Sequence, residues 1–241
     1  MDAVYENPFV TLRMEDEIAY MELHNEKFNK VESADFIDLN VLKEWISENK
    51  PIGLVIYGKG RHFSAGADLE YLSRKKESKE TFISKLTKGK EVLDYIEQLP
   101  IITVAAISGS CCGAGLEIAL SCQFRVATES SVFAFPEASL GVMPGMGGTI
   151  RLPQLIGKTK AIKMILTAER LYSEDALKIG LIDCVAEKGN HILCAADMIK
   201  KLTDEKSYLQ VISIIKSIKE RSQETETQLF TDFLKVKEIV T

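Results

Sequence analysis

The sequence has few of the residues that build metal centres or serine-dependent active sites. Its three histidines, His24, His62 and His191, are far apart, and no HxH or HExxH pattern occurs. We therefore predict no metal site. No GxSxG segment is present, so the chain lacks the nucleophilic serine turn of α/β-hydrolases. Neither absence bears on chemistry carried by carboxylates or backbone amides.

The sequence also lacks a cysteine pattern typical of disulfides, a net positive charge and long apolar runs. The five cysteines are an odd number without CxxC spacing, which favours a reducing environment. A formal net charge of −5 leaves no basic field for nucleic acid. No apolar run approaches the roughly 18 residues of a membrane-spanning helix, and the first residues do not resemble a secretory signal. We expect a cytoplasmic protein that binds neither nucleic acid nor membranes.

Apolar residues are plentiful, at 46% of the 241 residues, which is enough to form a substantial core. Their spacing alternates between the periods of strands and helices. It predicts a hairpin over Val10–Met14 and Ile18–Leu23, helices over Ala34–Asn49 and Thr81–Gln98, and buried strands over Ile52–Tyr57 and Ile101–Ile107. This order favours an α/β layered domain.

The last third of the chain is predicted to be mostly helical. A short strand is expected over Leu181–Val185, followed by helices over His191–Leu202, Tyr208–Glu220 and Glu224–Glu238. We see no linker-like composition between the two parts. We therefore expect a core over residues 1–185 and a helical C-terminal region over residues 186–241, both within one domain.

Two loops of small residues follow the predicted buried strands. One runs from Gly58 to Asp68 and the other from Ser108 to Gly115. Ligands of open α/β sheets bind beyond the carboxyl ends of strands, and small residues let backbone N–H groups approach a ligand. The loops could direct one N–H each at a developing oxyanion. Alternatively, the small residues only permit close packing of strand and helix.

Two glutamates lie in apolar stretches of sequence. Glu117 has only apolar neighbours within two or three positions, and Glu137 follows the segment VFAFP. If they converge, burial and mutual repulsion would raise the pKa of at least one carboxyl, so that one acts as acid and the other as base. The alternative is a salt bridge to Arg125 or Arg151. The glycines of Gly145–Gly148 could place free N–H groups near Glu137, or could form only a turn.

Three segments make the chain recognisable. They are FSAGAD at Phe63–Asp68, AISGSCCGAGLE at Ala106–Glu117 and FPEASLGVMPGMGGT at Phe135–Thr149. In order and spacing they resemble the crotonase family, the enoyl-CoA hydratases and isomerases. The likeness extends from about Val10 to Val185.

This resemblance implies a crotonase-like spiral of ββα repeats with a helical C-terminal trimerisation region, assembled as a homotrimer or a dimer of trimers. It implies an acyl thioester substrate carried on coenzyme A, and no separate cofactor. Ala67 and Ala114 match the residues whose N–H groups form the oxyanion hole. Glu117 and Glu137 match the two catalytic glutamates of true hydratases, and Gly145 matches a glycine that helps place the reacting water. The neighbouring positions expected to bind substrate are Ser64, Ala65, Gly66, Asp68, Leu69 and Gly113.

With both glutamates present, the resemblance favours a hydro-lyase that adds water to a 2-enoyl thioester or removes it, as in fatty acid metabolism. One alternative is a double-bond isomerase that uses mainly Glu137. Another is a dehydratase acting on an acyl-carrier-protein thioester in polyketide biosynthesis. A non-catalytic binding subunit is disfavoured, because the glutamates and both oxyanion-hole positions are intact.

The chain departs from the family pattern at four places. Ala114 and Gln123 replace the usual glycine and aspartate, and the segment from Asn29 to Phe63 is shorter than usual. The sequence also stops at Thr241 without the customary final helix, which in relatives often covers the nucleotide end of the ligand. These departures keep open a phosphopantetheine thioester on an acyl carrier protein as the substrate.

Overall fold

Within the residues that the structure describes, ten strands in two sheets form the framework of the protein. The computed structural model describes residues 4–25, 28–68 and 78–220, together with residues 228, 229 and 232. The strands are β1 Tyr5–Glu6, β2 Val10–Glu15, β3 Ile18–Leu23, β4 Gly53–Gly58, β5 Ile102–Ile107, β6 Ser110–Cys112, β7 Phe124–Thr128, β8 Val132–Ala134, β9 Leu171–Tyr172 and β10 Cys184–Ala186. The larger sheet has the order β1-β2-β3-β4-β5-β7-β10, and the smaller one has the order β6-β8-β9.

The larger sheet changes from antiparallel to parallel at β3. Strands β1, β2 and β3 pair antiparallel, whereas every pair from β3 to β10 is parallel. The hairpin predicted at the N-terminus is confirmed, and its two-residue turn is Asp16–Glu17, with φ of 48° and 63°. All residues of β4 and β5 are buried, as expected for parallel strands covered on both faces.

Eight α-helices have both of their ends in the described residues, and residues 228, 229 and 232 are helical as well. The eight are α1 Leu39–Asn49, α2 Lys79–Gln98, α3 Ala114–Leu120, α4 Gly148–Ile156, α5 Lys158–Thr167, α6 Ser173–Lys178, α7 His191–Thr203 and α8 Tyr208–Glu220. A 3₁₀ helix covers Glu137–Leu140. None of the helices in this part of the chain combines the length and the apolar character needed to cross a membrane.

Alternate residues of β4 divide the core into two layers. Leu54 and Ile56 pack in the larger cluster, which also contains buried residues of α1, α2, α3 and α4. Val55 and Tyr57 face the opposite cluster, to which α7 and α8 contribute their buried residues. Since successive side chains of a strand point to opposite faces, the sheet is covered by helices on both sides. The predicted α/β layering is confirmed.

Most predicted bounds agree with the observed ones to within about two residues, and three elements are exceptions. The first helix begins at Leu39 rather than at Ala34, because Asp38 adopts extended backbone and caps it. The last strand is Cys184–Ala186 rather than Leu181–Val185. The helix predicted over Glu224–Glu238 lies almost entirely outside the described residues. The division of the chain at residue 185 stays a prediction.

We expect replacement of Asp38 with alanine to destabilise the protein by about 1 kcal/mol. The Asp38 carboxylate accepts hydrogen bonds from the backbone N–H groups of Asn40 at 2.8 Å and Val41 at 3.3 Å, which the helix itself leaves unsatisfied. The measurement is urea-induced unfolding. Glu48, exposed on the same helix, provides the control: E48A should change the free energy of unfolding by less than about 0.5 kcal/mol. Equal losses in the two variants would contradict the capping role.

Candidate active site

The two loops of small residues lie side by side at the carboxyl ends of β4 and β5. The Ser64 N–H donates to the Ser110 carbonyl at 3.0 Å, and the Cys112 N–H donates to the Ser64 carbonyl at 3.0 Å. Ser64 and Cys111 also form an isolated parallel bridge. These backbone contacts hold the segment before Ala67 directly against the segment that leads into α3.

Glycine is required where the loops approach most closely. A Cβ at Gly115 would lie 2.6 Å from the Ser64 Cβ. Gly66 has a φ of +92°, and a Cβ there would lie 2.6 Å from the Cys112 carbonyl oxygen. Contacts this short are sterically excluded, so the small residues do permit close packing. The interpretation that the small residues permit close packing is thus confirmed. It does not exclude that the loops also direct N–H groups at an oxyanion.

Two backbone N–H groups remain without an acceptor where these loops meet. Within the described residues, neither the Ala67 N–H nor the Ala114 N–H donates a hydrogen bond. Ala114 is the first residue of α3, and its N-cap, Gly113, has no side chain to cap the helix. Helix N-termini carry unsatisfied donors and a positive partial charge. The two donors are available to an oxygen atom of a ligand.

A cavity of about 210 Å³ adjoins both alanines. Its walls include all five residues predicted to be catalytic, namely Ala67, Ala114, Glu117, Glu137 and Gly145. The remaining walls are mostly apolar and come from α2, from the 142–146 segment and from residues 31–34; they include Val31, Ala34, Phe82, Leu86, Val142, Met143 and Met146. The structure therefore brings the predicted residues together around one space.

Glu117 is one of the most deeply buried carboxylates, with 2% of its surface exposed. Its Oε1 accepts hydrogen bonds from the backbone N–H groups of Met146 and Gly148, both at 2.8 Å. Burial raises the pKa of Glu117, while these hydrogen bonds and the charge of Arg151 act in the opposite direction. The carboxylate is thus held in place by donors that favour its ionised form.

Glu137 lies at the first position of the 3₁₀ helix and has a different environment. Burial, with a smaller contribution from the negative charge of Glu117, raises the pKa of Glu137 to about 7 against a backbone hydrogen bond that lowers it. Its Oε2 is buried and has no hydrogen-bond partner in the described residues. A Cβ at Gly113 would lie 2.7 Å from the Glu137 Oε1, so glycine at that position makes room for the carboxyl group.

The salt-bridge alternative for the two glutamates is wrong within the described residues. Arg125 pairs with Asp183 at 3.1 Å. Arg151 pairs with Asp94 at 2.5 Å and with Glu97 at 2.7 Å. In the glycine-rich turn, the amides of Met146 and Gly148 bind Glu117. That the turn also places N–H groups near Glu137 stays a prediction.

The residues predicted to bind substrate mostly hold the loops together. The Ser64 Oγ accepts from the Gly66 N–H at 3.2 Å, the Ala65 N–H donates to the Phe28 carbonyl at 3.0 Å, and Asp68 pairs with Lys30 at 3.2 Å. Gly113 donates its N–H to the Ala134 carbonyl at 2.9 Å. Leu69 lies outside the described residues. Substrate binding by this group stays a prediction.

One part of the cavity wall was not expected from the sequence. Residues 31–34 reach it because Val31 pairs with the first loop, Gly58–Asp68. Its N–H donates to the Gly66 carbonyl at 2.9 Å, and its carbonyl accepts from the Asp68 N–H at 3.0 Å. The segment has neither helical nor strand periodicity, so the sequence carries no signal of this role.

Comparison with known proteins gives the same family as the motifs. The family model described as enoyl-CoA hydratase/isomerase matches residues 13–239. The chain therefore belongs to the enoyl-CoA hydratase/isomerase family, and its predicted crotonase fold is confirmed.

The chain resembles several solved structures, and the similarity covers nearly its whole length. An enoyl-CoA hydratase from Bacillus anthracis is 26% identical, with a TM-score of 0.78 over 96% of this chain and 88% of the other. For an enoyl-CoA hydratase from Thermoplasma volcanium the identity is 25% and the TM-score 0.80, over 95% and 93% of the two chains. DspI from Pseudomonas aeruginosa is 28% identical, with a TM-score of 0.80 over 97% and 96%.

The raised pKa of Glu137 predicts a pH-dependent gain of stability in E137Q. Native Glu137 binds its proton below a pKa of about 7, whereas the ordinary value is 4.5. The native state therefore binds more protons between these values, and the free energy of unfolding falls as the pH rises through this window. At pH 8 we expect E137Q to be more stable than the parent by on the order of 1 kcal/mol, a value reduced for partial solvent exposure.

We expect this difference to disappear below pH 4.5, where both states of the parent are protonated. Urea-induced unfolding at the two pH values measures it. Glu129, exposed on the surface, provides the control variant E129Q, which should show no such gain at pH 8. A stability difference for E137Q that is the same at both pH values would contradict the prediction.

Proposed function

We propose that this protein is a hydro-lyase that adds water to the double bond of a 2-enoyl thioester, or catalyses the reverse dehydration. The observation that carries the proposal is the convergence of two carboxyl groups and two backbone donors on one apolar cavity, the donors having no acceptor in the described residues. The membership of the enoyl-CoA hydratase/isomerase family supports the thioester as substrate class.

The backbone amides of Ala67 and Ala114 would bind the thioester carbonyl oxygen. When water adds to the β-carbon, negative charge moves through the conjugated system onto this oxygen. Two fixed N–H donors stabilise that charge more than the ground state, typically by about 3–4 kcal/mol per donor. The apolar walls of the cavity strengthen the effect by excluding water from the hydrogen bonds.

The two glutamates would divide the proton transfers. Glu117, whose carboxylate accepts hydrogen bonds from the amides of Met146 and Gly148, takes a proton from the attacking water. Glu137, whose pKa of about 7 leaves it partly protonated at neutral pH, delivers a proton to the α-carbon. An acid and a base with different proton affinities are what this addition requires, because one proton is removed and one is supplied. Gly145 lines the same cavity and is proposed to help place the water.

We expect E117Q and E137Q each to reduce the hydration rate by about 10²–10⁴-fold, while the affinity for a saturated thioester analogue stays close to that of the parent. Glutamine keeps the size of the side chain and removes its acid–base function. The measurement uses a 2-enoyl thioester in ¹⁸O-labelled water, with mass spectrometry of the product. E129Q again provides a control on an exposed carboxylate and should retain the parental rate.

Near-parental hydration by E117Q would refute the assignment. A product of unchanged mass with a shifted double bond would identify the isomerase alternative, which requires mainly Glu137. Binding of the thioester without turnover by the parent would instead indicate a non-catalytic binding subunit.

The carrier of the acyl group and the oligomeric state remain predictions. Coenzyme A and an acyl carrier protein present the same phosphopantetheine thioester, so the cavity described above is compatible with both. Comparison of kcat/KM for one acyl group on each carrier distinguishes them. Assembly as a homotrimer or a dimer of trimers stays an expectation from the family resemblance.

A further inference from the structure

Arg151 contacts Met146 in the cavity wall, but it takes no direct part in the proposed chemistry. It is on α4, with 4% of its surface exposed, and it does not line the cavity. We propose that Arg151 is a positioning residue for Glu117, because it fixes the turn whose backbone amides hold the Glu117 carboxylate. The inference rests on the hydration proposed above, in which Glu117 is the base.

Arg151 and Glu117 bind different backbone groups of the same turn. The Arg151 Nη1 donates to the Met146 carbonyl at 2.8 Å, while the Met146 N–H donates to the Glu117 Oε1 at 2.8 Å. A peptide segment held at its carbonyl and its amide has little freedom to rotate. The position of the carboxylate in the cavity therefore depends on the arginine through the backbone of one residue.

The glycine at position 147 is required for this arrangement. Its φ of +108° is one that side chains rarely adopt, and a Cβ there would lie 2.1 Å from the Arg151 Nη1. Only glycine lets the guanidinium approach the turn so closely. The run of glycines thus serves the arginine as well as the carboxylate, a relation that was not visible in the sequence.

Helix α2 holds the guanidinium on its other sides. The Arg151 Nε donates to the Glu97 Oε2 at 2.7 Å, and Nη2 donates to the Asp94 Oδ1 at 2.5 Å. Each of the three nitrogen atoms thus has its own acceptor. A lysine at this position would keep the positive charge but could not reproduce three donors in a fixed planar geometry.

Loss of Arg151 need not prevent folding. The side chains of Asp94 and Glu97 are 44% and 35% exposed, so water can solvate them when the arginine is removed. The turn, in contrast, would keep its glycines and lose the donor to the Met146 carbonyl. We therefore expect the turn to become less ordered while the remaining core stays packed.

Arg125 offers a matched control. It is 1% exposed, donates to the carbonyls of Leu181 and Cys122 at 2.7 Å each, and pairs with Asp183 at 3.1 Å. It is therefore a second buried arginine that binds carbonyl oxygens and a partly exposed carboxylate. None of its described contacts involves the 145–148 turn or the cavity wall.

The experiment compares R151M, R151K and R125K with the parent in hydration kinetics, with urea-induced unfolding to establish how much each variant is destabilised. For R151M we expect kcat to fall about 100-fold with KM nearly unchanged, because a misplaced base slows the reaction without weakening thioester binding. R151K should recover only part of kcat, since a single ammonium group can donate to the Met146 carbonyl but cannot reproduce the three planar donors. R125K should lose stability and retain the parental kcat. A parental kcat in R151M, or an equal loss in R125K, would overturn the inference.

Hydrogen–deuterium exchange of the peptide containing residues 145–148 tests the positioning role without turnover. We expect faster exchange at the Met146 and Gly148 amides in R151M, and parental exchange in R125K. Unchanged protection in R151M would overturn the inference even if the parent proved to be no hydratase. If R151M does not fold, E97Q replaces it: Glu97 is partly exposed, and losing this partner should change kcat and exchange in the same direction by a smaller factor.

Discussion

The burial of the Glu117 carboxylate is the constraint on which the rest of the site depends. An ionised carboxylate inside an apolar layer is strongly unfavourable unless hydrogen bonds replace its water. Here the replacement comes from two backbone amides of the 145–148 turn. Because that turn needs positive φ at Gly147 and close contact at Gly148, the glycine run follows from the need to hold one buried charge.

The two glutamates of the cavity have different surroundings, which act differently on the pKa of each carboxyl group. Burial raises the pKa of Glu117, but two backbone hydrogen bonds and the charge of Arg151 counteract this rise. Glu137 has a buried oxygen with no partner in the described residues, and its pKa rises to about 7. Two glutamates that titrate differently are a means of providing base and acid in one cavity. The difference arises from backbone geometry rather than from the side chains themselves.

Much of this arrangement could be predicted along the chain. The buried strands, the hairpin and the two loops of small residues were all expected, because hydrophobic periodicity and glycine content are local properties. The start of α1 was placed too early, since the apolar spacing extends through Phe36 while the cap at Asp38 decides where the helix begins. Residues 31–34 gave no signal, because they reach the cavity only through the backbone pairing of Val31.

The sequence by itself determined the α/β layering, the two loops and the pair of glutamates in apolar surroundings, because each is expressed in neighbouring residues. It left open whether Arg125 or Arg151 would neutralise those glutamates, and which carboxylate the glycine-rich turn would serve. Only the tertiary structure decided both points. Arg151 is bound by Asp94 and Glu97, more than fifty positions earlier in the chain, and the turn meets Glu117 about thirty positions away. Contacts between such distant residues depend on how α2, α3 and α4 pack against one another. The pattern of neighbouring residues in the sequence does not encode this packing.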